Sequence, residues 1–450
     1  MEDTICAPAT PPVPSPIAII RISGPETFRA VRSLFNTSRD IQPRQAHYGT
    51  ISVEGKQIDD VVMVCYRSPH SYTGEDMAEI FCHGNPLIVR KIITTLNDRC
   101  VRMAEPGEFT RRAFLNGKID LTEAEAINHI ITARSEWEIE TSIGQMHGSL
   151  KRIIRELRDR IIELKADIEA GIDFSEEDIE IISRGAALDR VTSIRDALSQ
   201  LLGRCMEGEQ LKHGIDITIT GRPNVGKSSI LNLILNQERA IVSNIPGTTR
   251  DIIRESIQIN GIHVNLIDTA GIGTPGDEIE RMGMDLSHKK IESSSLVLVV
   301  LDATEPLRIA DTDILEKTDN KKRIILINKS DIARSEDIAA LRKSLSGHSI
   351  AFSAKTGLGL SDMKDSIAAR IKNEFVQIEN SFVADIRIIS LLEKALDNTH
   401  AVKNLIEKGE PGEITAFELQ CLLDNLSAIT GEITSDDILN SIFDRFCIGK

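Results

Sequence analysis

The residues with the clearest chemical purpose are Gly221-Arg222-Pro223-Asn224-Val225-Gly226-Lys227-Ser228, a G-x-x-x-x-G-K-S run that follows the alternating segment Ile215, Ile217, Ile219. Its glycines let backbone N–H groups turn inward around phosphate oxygens. Lys227 supplies positive charge to the β- and γ-phosphates, and the Ser228 hydroxyl suits Mg2+. A chance glycine-rich turn needs no special surroundings, whereas a phosphate loop needs a strand before it and a helix after it. The sequence predicts both.

Further motifs follow in chain order. Gly247-Thr248-Thr249-Arg250-Asp251 brings hydroxyls for Mg2+ and the γ-phosphate, with Thr249 as the second Mg2+ ligand. Asp268-Thr269-Ala270-Gly271 follows an expected strand, Val264 to Ile267, and places Asp268 to support the metal. Asn328-Lys329-Ser330-Asp331 follows the expected strand 323–327. Guanine offers two adjacent donors, N1–H and the 2-amino group, and a carboxylate such as Asp331 accepts both; adenine presents an acceptor at N1. Ser353-Ala354-Lys355 completes the base site. The expected nucleotide contacts are Asn224, Val225, Gly226, Lys227, Ser228 and Ser229, then Ser243, Asn244, Ile245, Pro246, Gly247, Thr248 and Thr249, then Asp268, Thr269, Ala270 and Gly271, and finally Asn328, Lys329, Asp331, Ser353, Ala354 and Lys355. Each short motif is weak alone, but their order after a phosphate loop points to GTP. Lys227 and Thr249 are the residues expected to act directly on the reacting phosphate.

The water-orienting glutamine of Ras-like enzymes has no counterpart, because Ile272 stands just after the Asp-x-x-Gly motif. An alkyl side chain cannot position water by hydrogen bonding, and no arginine presents itself as a finger in cis. Asp277, Glu278 and Glu280 follow closely; Asp277 and Glu278 read as a solvated helix start. Asn224 has two readings. Its amide oxygen suits a monovalent cation beside the phosphates, and its type also suits a turn after Pro223.

These residues need an α/β frame. Short strands at Ile215 to Ile219, Val264 to Ile267, Leu296 to Leu301, Arg323 to Ile327 and Ser349 to Phe352 alternate with helices, which implies a mainly parallel, doubly wound sheet. Around this block the pattern is helical. Expected helices are Glu123 to Ser135, Ser149 through Ala170 with Gly171 as its end, Leu188 to Cys205, Glu418 to Leu426 and Asp436 to Phe446. Residues 1 to about 118 read as mixed α/β, with strands at Ile17 to Ile22 and Val61 to Tyr66 and a helix at Leu87 to Asn97 after Pro86. An inserted block of this kind is tolerated where its two ends lie close together.

The 450 residues suggest about three domains. With 41% apolar and 27% charged residues the composition is globular, and no apolar run reaches the roughly 18 residues of a membrane span. The start Met1-Glu2-Asp3-Thr4 is not a signal sequence, and the seven cysteines form no C-x-x-C pair, so reduced thiols in a cytoplasmic protein are expected. A net charge of -15 excludes a generic nucleic-acid binder. Contact with RNA needs a local patch or a partner protein. Two basic groups stand out, Arg102, Arg111, Arg112 and Lys118, and the run Lys151, Arg152, Arg155, Arg158, Arg160; solvated charge on helix faces is the plainer reading of both.

Beyond the GTPase motifs, several segments carry a resemblance: Ala9-Thr10-Pro11-Pro12 leading to Arg21-Ile22-Ser23-Gly24, Tyr72-Thr73-Gly74-Glu75-Asp76, Pro106-Gly107-Glu108-Phe109-Thr110-Arg111-Arg112-Ala113-Phe114, and the final Cys447-Ile448-Gly449-Lys450. With them the chain resembles, over nearly its whole length, the MnmE/TrmE family of tRNA-modification GTPases acting at the wobble uridine. The resemblance implies α/β plus all-α architecture: an N-terminal α/β folate-binding and dimerisation domain (1–118), a discontinuous helical domain (119–212 and 374–450) and an inserted Ras-like P-loop GTPase domain (213–373). It implies a homodimer and activation by K+, with Asn224, Ser243, Ile245 and Thr248 at the cation and Glu280 as the catalytic glutamate. It implies 5-formyl- or 5,10-methylene-tetrahydrofolate held by Arg21, Glu79, Lys118 and Lys450, with Cys447 near the modification centre. The partner it implies is a flavin-dependent, MnmG/GidA-like protein in a heterotetramer or larger assembly. The reaction places a (carboxymethyl)aminomethyl group on C5 of uridine 34 of certain tRNAs. One departure is Val13-Pro14-Ser15-Pro16, where the family has a glycine-rich turn. The alternative, a ribosome-assembly GTPase, shares every GTPase motif but does not need folate, a flavoprotein or Cys447.

Overall fold

The computed structural model describes residues 3–38, 40–173, 181–238, 254–268, 294–374 and 381–450. They fall into two compact units. One comprises residues up to Asn128, Gly144–Leu198 and Ser390–Lys450, and the other comprises His129–Ile143 and Ser199–Ile389.

The first unit is built on seven strands: β1 (Thr4–Pro8), β2 (Ser15–Ser23), β3 (Phe35–Asn36), β4 (Ala46–Val53), β5 (Lys56–Tyr66), β6 (Met77–Gly84) and β7 (Val101–Met103), in the order β3-β4-β5-β6-β2-β1-β7. Neighbours are antiparallel except β1 and β7. Side chains alternate across a strand, so Ile20, Ile22, Val61, Met63, Ile80 and Cys82 share a buried face with Ile92 and Leu96 of the helix Pro86–Asn97. That helix starts where expected, because Asn85 Oδ1 accepts the Leu87 N–H at 2.9 Å and Pro86 needs no donor there. The opposite face carries Ile19, Phe81, Val62 and Tyr48 in register across four strands, with Tyr48 69% exposed. Beside them Arg21, Glu79 and Val64 form the next rung.

The helix Ser149–Asp173 buries Leu150, Ile154, Leu157, Ile161 and Leu164 along one stripe. It does not stop at Gly171: nothing crowds that position, and the helix continues to Asp173 at the modest cost of one interior glycine. Lys165 Nζ donates to Gln420 Oε1 of the helix Gly412–Thr430 at 2.9 Å.

The last helix is Asp436–Phe443, shorter than expected. Its Leu439 and Phe443, with Phe446, pack on Leu121, Ala124 and Phe114. Gly107, with φ +66°, is required below it, since a Cβ there would meet the Phe443 carbonyl at 2.6 Å. An isolated bridge between Pro106 and Ile448 then ties the C-terminal residues to the N-terminal domain.

Within the first basic group, Arg112 is not solvated, whereas Lys118 is exposed and the Arg102 side chain is 45% exposed. Arg112 is fully buried and pairs with Asp3 at 2.8 Å, Glu75 at 3.1 Å and Glu108 at 3.0 Å, and Arg102 pairs with Asp3 and Glu108. The Arg112 charge is spent inside the fold. The second run is also partly engaged, with Lys151 on Glu123 and Asp120, and Arg158 on Glu432.

The second unit holds β8 (Ile215–Thr220), β9 (Arg254–Ile259), β10 (Ile262–Asp268), β11 (Leu296–Asp302), β12 (Arg323–Asn328) and β13 (Ser349–Ala351), ordered β13-β12-β11-β8-β10-β9. All neighbours are parallel except β9 and β10. β11 is buried at every position, and its alternate residues enter different cores. Leu298 and Val300 meet Ile230, Ile234, Met363 and Ile367, while Val297 and Val299 meet Ile314 and Leu315. Helices thus cover both faces, as the alternating pattern predicts. The block's two ends approach each other: Lys212 Nζ donates to Asp385 Oδ1 at 2.7 Å.

Candidate functional site

The phosphate-loop sequence runs from β8 into the helix Lys227–Glu238. Two glycines are fixed by close approach. A Cβ on Gly221 (φ +155°) would lie 2.5 Å from the Val300 carbonyl, and one on Gly226 (φ +98°) would lie 2.4 Å from Asn328 Nδ2. Asn328 is buried and ties three loops together: Nδ2 donates to the Val225 carbonyl at 2.7 Å, and Oδ1 accepts the Ala354 N–H at 3.0 Å. Ser353 Oγ donates to Asp331 Oδ1 at 2.7 Å, which orients the carboxylate assigned to guanine. Lys227 Nζ donates to the carbonyls of Gly221 at 2.7 Å and Arg222 at 2.9 Å.

Lys329 adopts φ +64° and sends Nζ to Asp302 Oδ2 at 2.6 Å. Burial pushes the Asp302 carboxyl up, but Lys329 and the Thr304 hydroxyl and N–H outweigh it, holding it below the ordinary range. Asp302 was not among the residues read from the sequence; its position at the end of a wholly apolar strand was the available signal. Asn224 has φ +64°, a conformation asparagine tolerates, and its side chain is exposed. That geometry satisfies the turn reading and leaves the amide open to a cation.

Ser228 lies exposed in the first turn of its helix, and its hard oxygen fits Mg2+. Ser243 to Thr249, Thr269 to Gly271, Ile272, Asp277, Glu278 and Glu280 lie outside the described residues, as does the Asp268 side chain.

A second constellation forms in the other unit. Arg21 and Glu79 face each other across β2 and β6, with Arg21 Nε donating to Glu79 Oε1 at 2.8 Å. The Tyr66 hydroxyl donates to Glu79 Oε2 at 3.3 Å, and the Arg21 guanidinium lies 5.7 Å from the Tyr72 ring centroid. The C-terminus arrives here. Arg21 Nη1 donates to the Gly449 carbonyl at 3.2 Å, and Gly449 (φ +93°) packs where a Cβ would meet the Pro8 carbonyl at 2.2 Å. Burial, and then the Arg21 charge, push the Lys450 ammonium below the usual lysine range. Arg21, Glu79 and Lys450 therefore converge. Lys118 does not join these contacts; its Nζ donates to the Pro69 carbonyl at 3.0 Å. Cys447 is exposed, and its carbonyl accepts the Lys450 N–H at 3.2 Å. Tyr66 and Tyr72 were missed by sequence reading, since only strand register and loop folding bring them to Arg21. At the Val13-Pro14-Ser15-Pro16 departure, β2 starts with a register shift between Ser15 and Ala18.

Comparison with known families decides which of the two functional readings holds. A model described as "GTP-binding protein TrmE N-terminus" matches residues 4–118, and one described as "MnmE helical domain" matches residues 121–447. The chain belongs to the MnmE family of tRNA-modification GTPases. Among relatives named tRNA modification GTPase MnmE, that of Thermotoga petrophila is 40% identical over 451 residues, covering 100% of both chains. That of Aquifex aeolicus is 40% identical over 453 residues, again covering 100% of both. The Lacticaseibacillus paracasei relative is 38% identical over 457 residues, covering 100% of this chain and 98% of its own. The ribosome-assembly alternative gives way to this family. Among the described residues, no helix is long and apolar enough to cross a membrane.

Proposed function

We propose that this family member is a K+-activated GTP hydrolase that, with a flavin-dependent partner, uses a one-carbon tetrahydrofolate to modify C5 of the wobble uridine of certain tRNAs. The observation that carries the folate part is the return of Gly449 and Lys450 to the Arg21–Glu79 pair. A folate has a pterin edge with adjacent N–H and amino donors and a glutamate tail with carboxylates. Glu79 suits the first, and Arg21 and Lys450 suit the second. Lys118 is assigned to the same ligand from the neighbouring loop, and Cys447 to the modification centre.

In the nucleotide unit, Asp331 reads guanine, Lys227 holds the β- and γ-phosphates, and Ser228 and Thr249 hold Mg2+. Asn224, Ser243, Ile245 and Thr248 hold K+, and Glu280 orients water. When bound, the two cations supply positive charge to the phosphates. The strip Ile19, Phe81, Val62 and Tyr48, with Tyr48 and Val62 exposed, supports a homodimer through the N-terminal sheet. The proposed domains are 1–118, 119–212 with 374–450, and 213–373, in a cytoplasmic protein.

Calorimetric titration with 5-formyltetrahydrofolate tests the folate assignment. The wild-type protein is expected to bind it, and Arg21→Ala to bind at least about tenfold more weakly, the loss of a charge-assisted contact. No binding by the wild type, or equal affinity in both, would remove folate from this site.

A further inference from the structure

Arg222 stands inside the phosphate loop, yet its guanidinium turns toward acids. Nη2 lies 2.5 Å from Glu305 Oε2 and 3.9 Å from Asp302 Oδ2, and Nε lies 3.3 Å from Asp311 Oδ2. The arginine side chain is 10% exposed, and those of Asp302 and Asp311 are 4% exposed. Each acid is itself held. Asp311 Oδ2 accepts the Arg308 N–H at 3.0 Å where the helix Ile309–Lys317 begins. Asp302 Oδ1 accepts from the Thr304 N–H at 3.0 Å and hydroxyl at 2.6 Å. Its other oxygen, Oδ2, is the one that takes Lys329 Nζ at 2.6 Å. Lys329 therefore hydrogen-bonds the carboxylate oxygen that Arg222 faces at ion-pair distance, 3.9 Å.

The backbone of Arg222 matters as much as its side chain. Its carbonyl is one of two that receive Lys227 Nζ. A guanidinium hydrogen-bonded to Glu305 and flanked by Asp302 and Asp311 fixes that peptide, and the peptide fixes where the ammonium of Lys227 sits. We infer that Arg222 is a positioning residue: it holds the phosphate loop in shape for Lys227 and, through the shared oxygen of Asp302, couples the phosphate end of the site to Lys329 at the base end. This rests on the reading of Lys227 and Lys329 as nucleotide-binding residues.

The consequence is non-additivity. With Lys329 removed, Asp302 is free to close on Arg222; with Arg222 removed, it belongs to Lys329 alone. The test is the release rate of methylanthraniloyl-GDP from the full-length protein, measured by stopped flow for wild type, Arg222→Ala, Lys329→Ala and the double variant. Each single change is expected to speed release roughly tenfold, the worth of a charged hydrogen bond. The double variant is expected to exceed the faster single by no more than about threefold, where independent sites would multiply. Arg222→Lys, which keeps the charge but not the fork, is expected to recover part of the loss. Release at the wild-type rate in Arg222→Ala, or a double effect equal to the product, would overturn the coupling. An unchanged rate in Lys329→Ala would instead overturn the reading of the site, and the coupling with it. If Arg222→Ala does not fold, Glu305→Ala removes the acid that hydrogen-bonds Arg222; faster release supports the inference and unchanged release overturns it.

Discussion

In the nucleotide unit the candidate residues come from loops at the carboxyl ends of parallel strands β8, β11, β12 and β13. In the N-terminal sheet they come from the face of antiparallel strands, with a chain terminus laid beside them. The first arrangement buries the sheet on both sides and leaves only strand ends for ligands. The second buries one side and leaves a face to bind. Backbone groups of contiguous segments therefore do much of the work in the first, while side chains distant in sequence do it in the second.

The contrast can be pressed hardest at Arg112, whose side chain is fully buried against Asp3, Glu75 and Glu108. Arg112→Ala leaves these carboxylates without their shared cation, and a loss of about 3–5 kcal/mol is expected in urea denaturation. A loss under about 1 kcal/mol would mean that the network does not hold the N-terminal fold. In the other unit, Lys227→Ala should lower GTP hydrolysis by about 100-fold or more, read as phosphate release, because it removes a preorganised donor from the developing charge. A fall of less than about tenfold would show that loop backbone alone suffices.

The same contrast explains what the sequence disclosed. The doubly wound sheet was readable because each buried strand is a short apolar run next to a motif, and the run Leu296 to Leu301 is a plain case. The phosphate loop was readable because its G-x-x-x-x-G-K-S pattern lies in one contiguous segment, although the contacts that fix its glycines come from Val300 and Asn328, far along the chain. Helix ends were less legible: Gly171 looks like a stop, yet open space around it lets the helix pass. The burial of Arg112 was not legible because Asp3 and Glu75, two of its three acids, lie far away along the chain. Tyr66 and Tyr72 escaped notice for a similar reason: only register and a folded loop relate them to Arg21. Asp302 escaped because its place at the end of an apolar strand does not by itself name Lys329 as its partner.

We propose that a monovalent cation takes the place of a finger residue in GTP hydrolysis by this protein. Its most direct test is GTP turnover in K+ and in equal Na+, for the wild type and for Asn224→Gly. Glycine keeps the left-handed backbone of Asn224 (φ +64°) while removing the amide oxygen. Turnover is expected to drop at least about tenfold in Na+, since a charge at the finger position contributes ~10³-fold or more, and the variant is expected to be slow in both salts. Equal rates in the two salts, or a variant indistinguishable from the wild type, would contradict it and leave Asn224 as a turn residue.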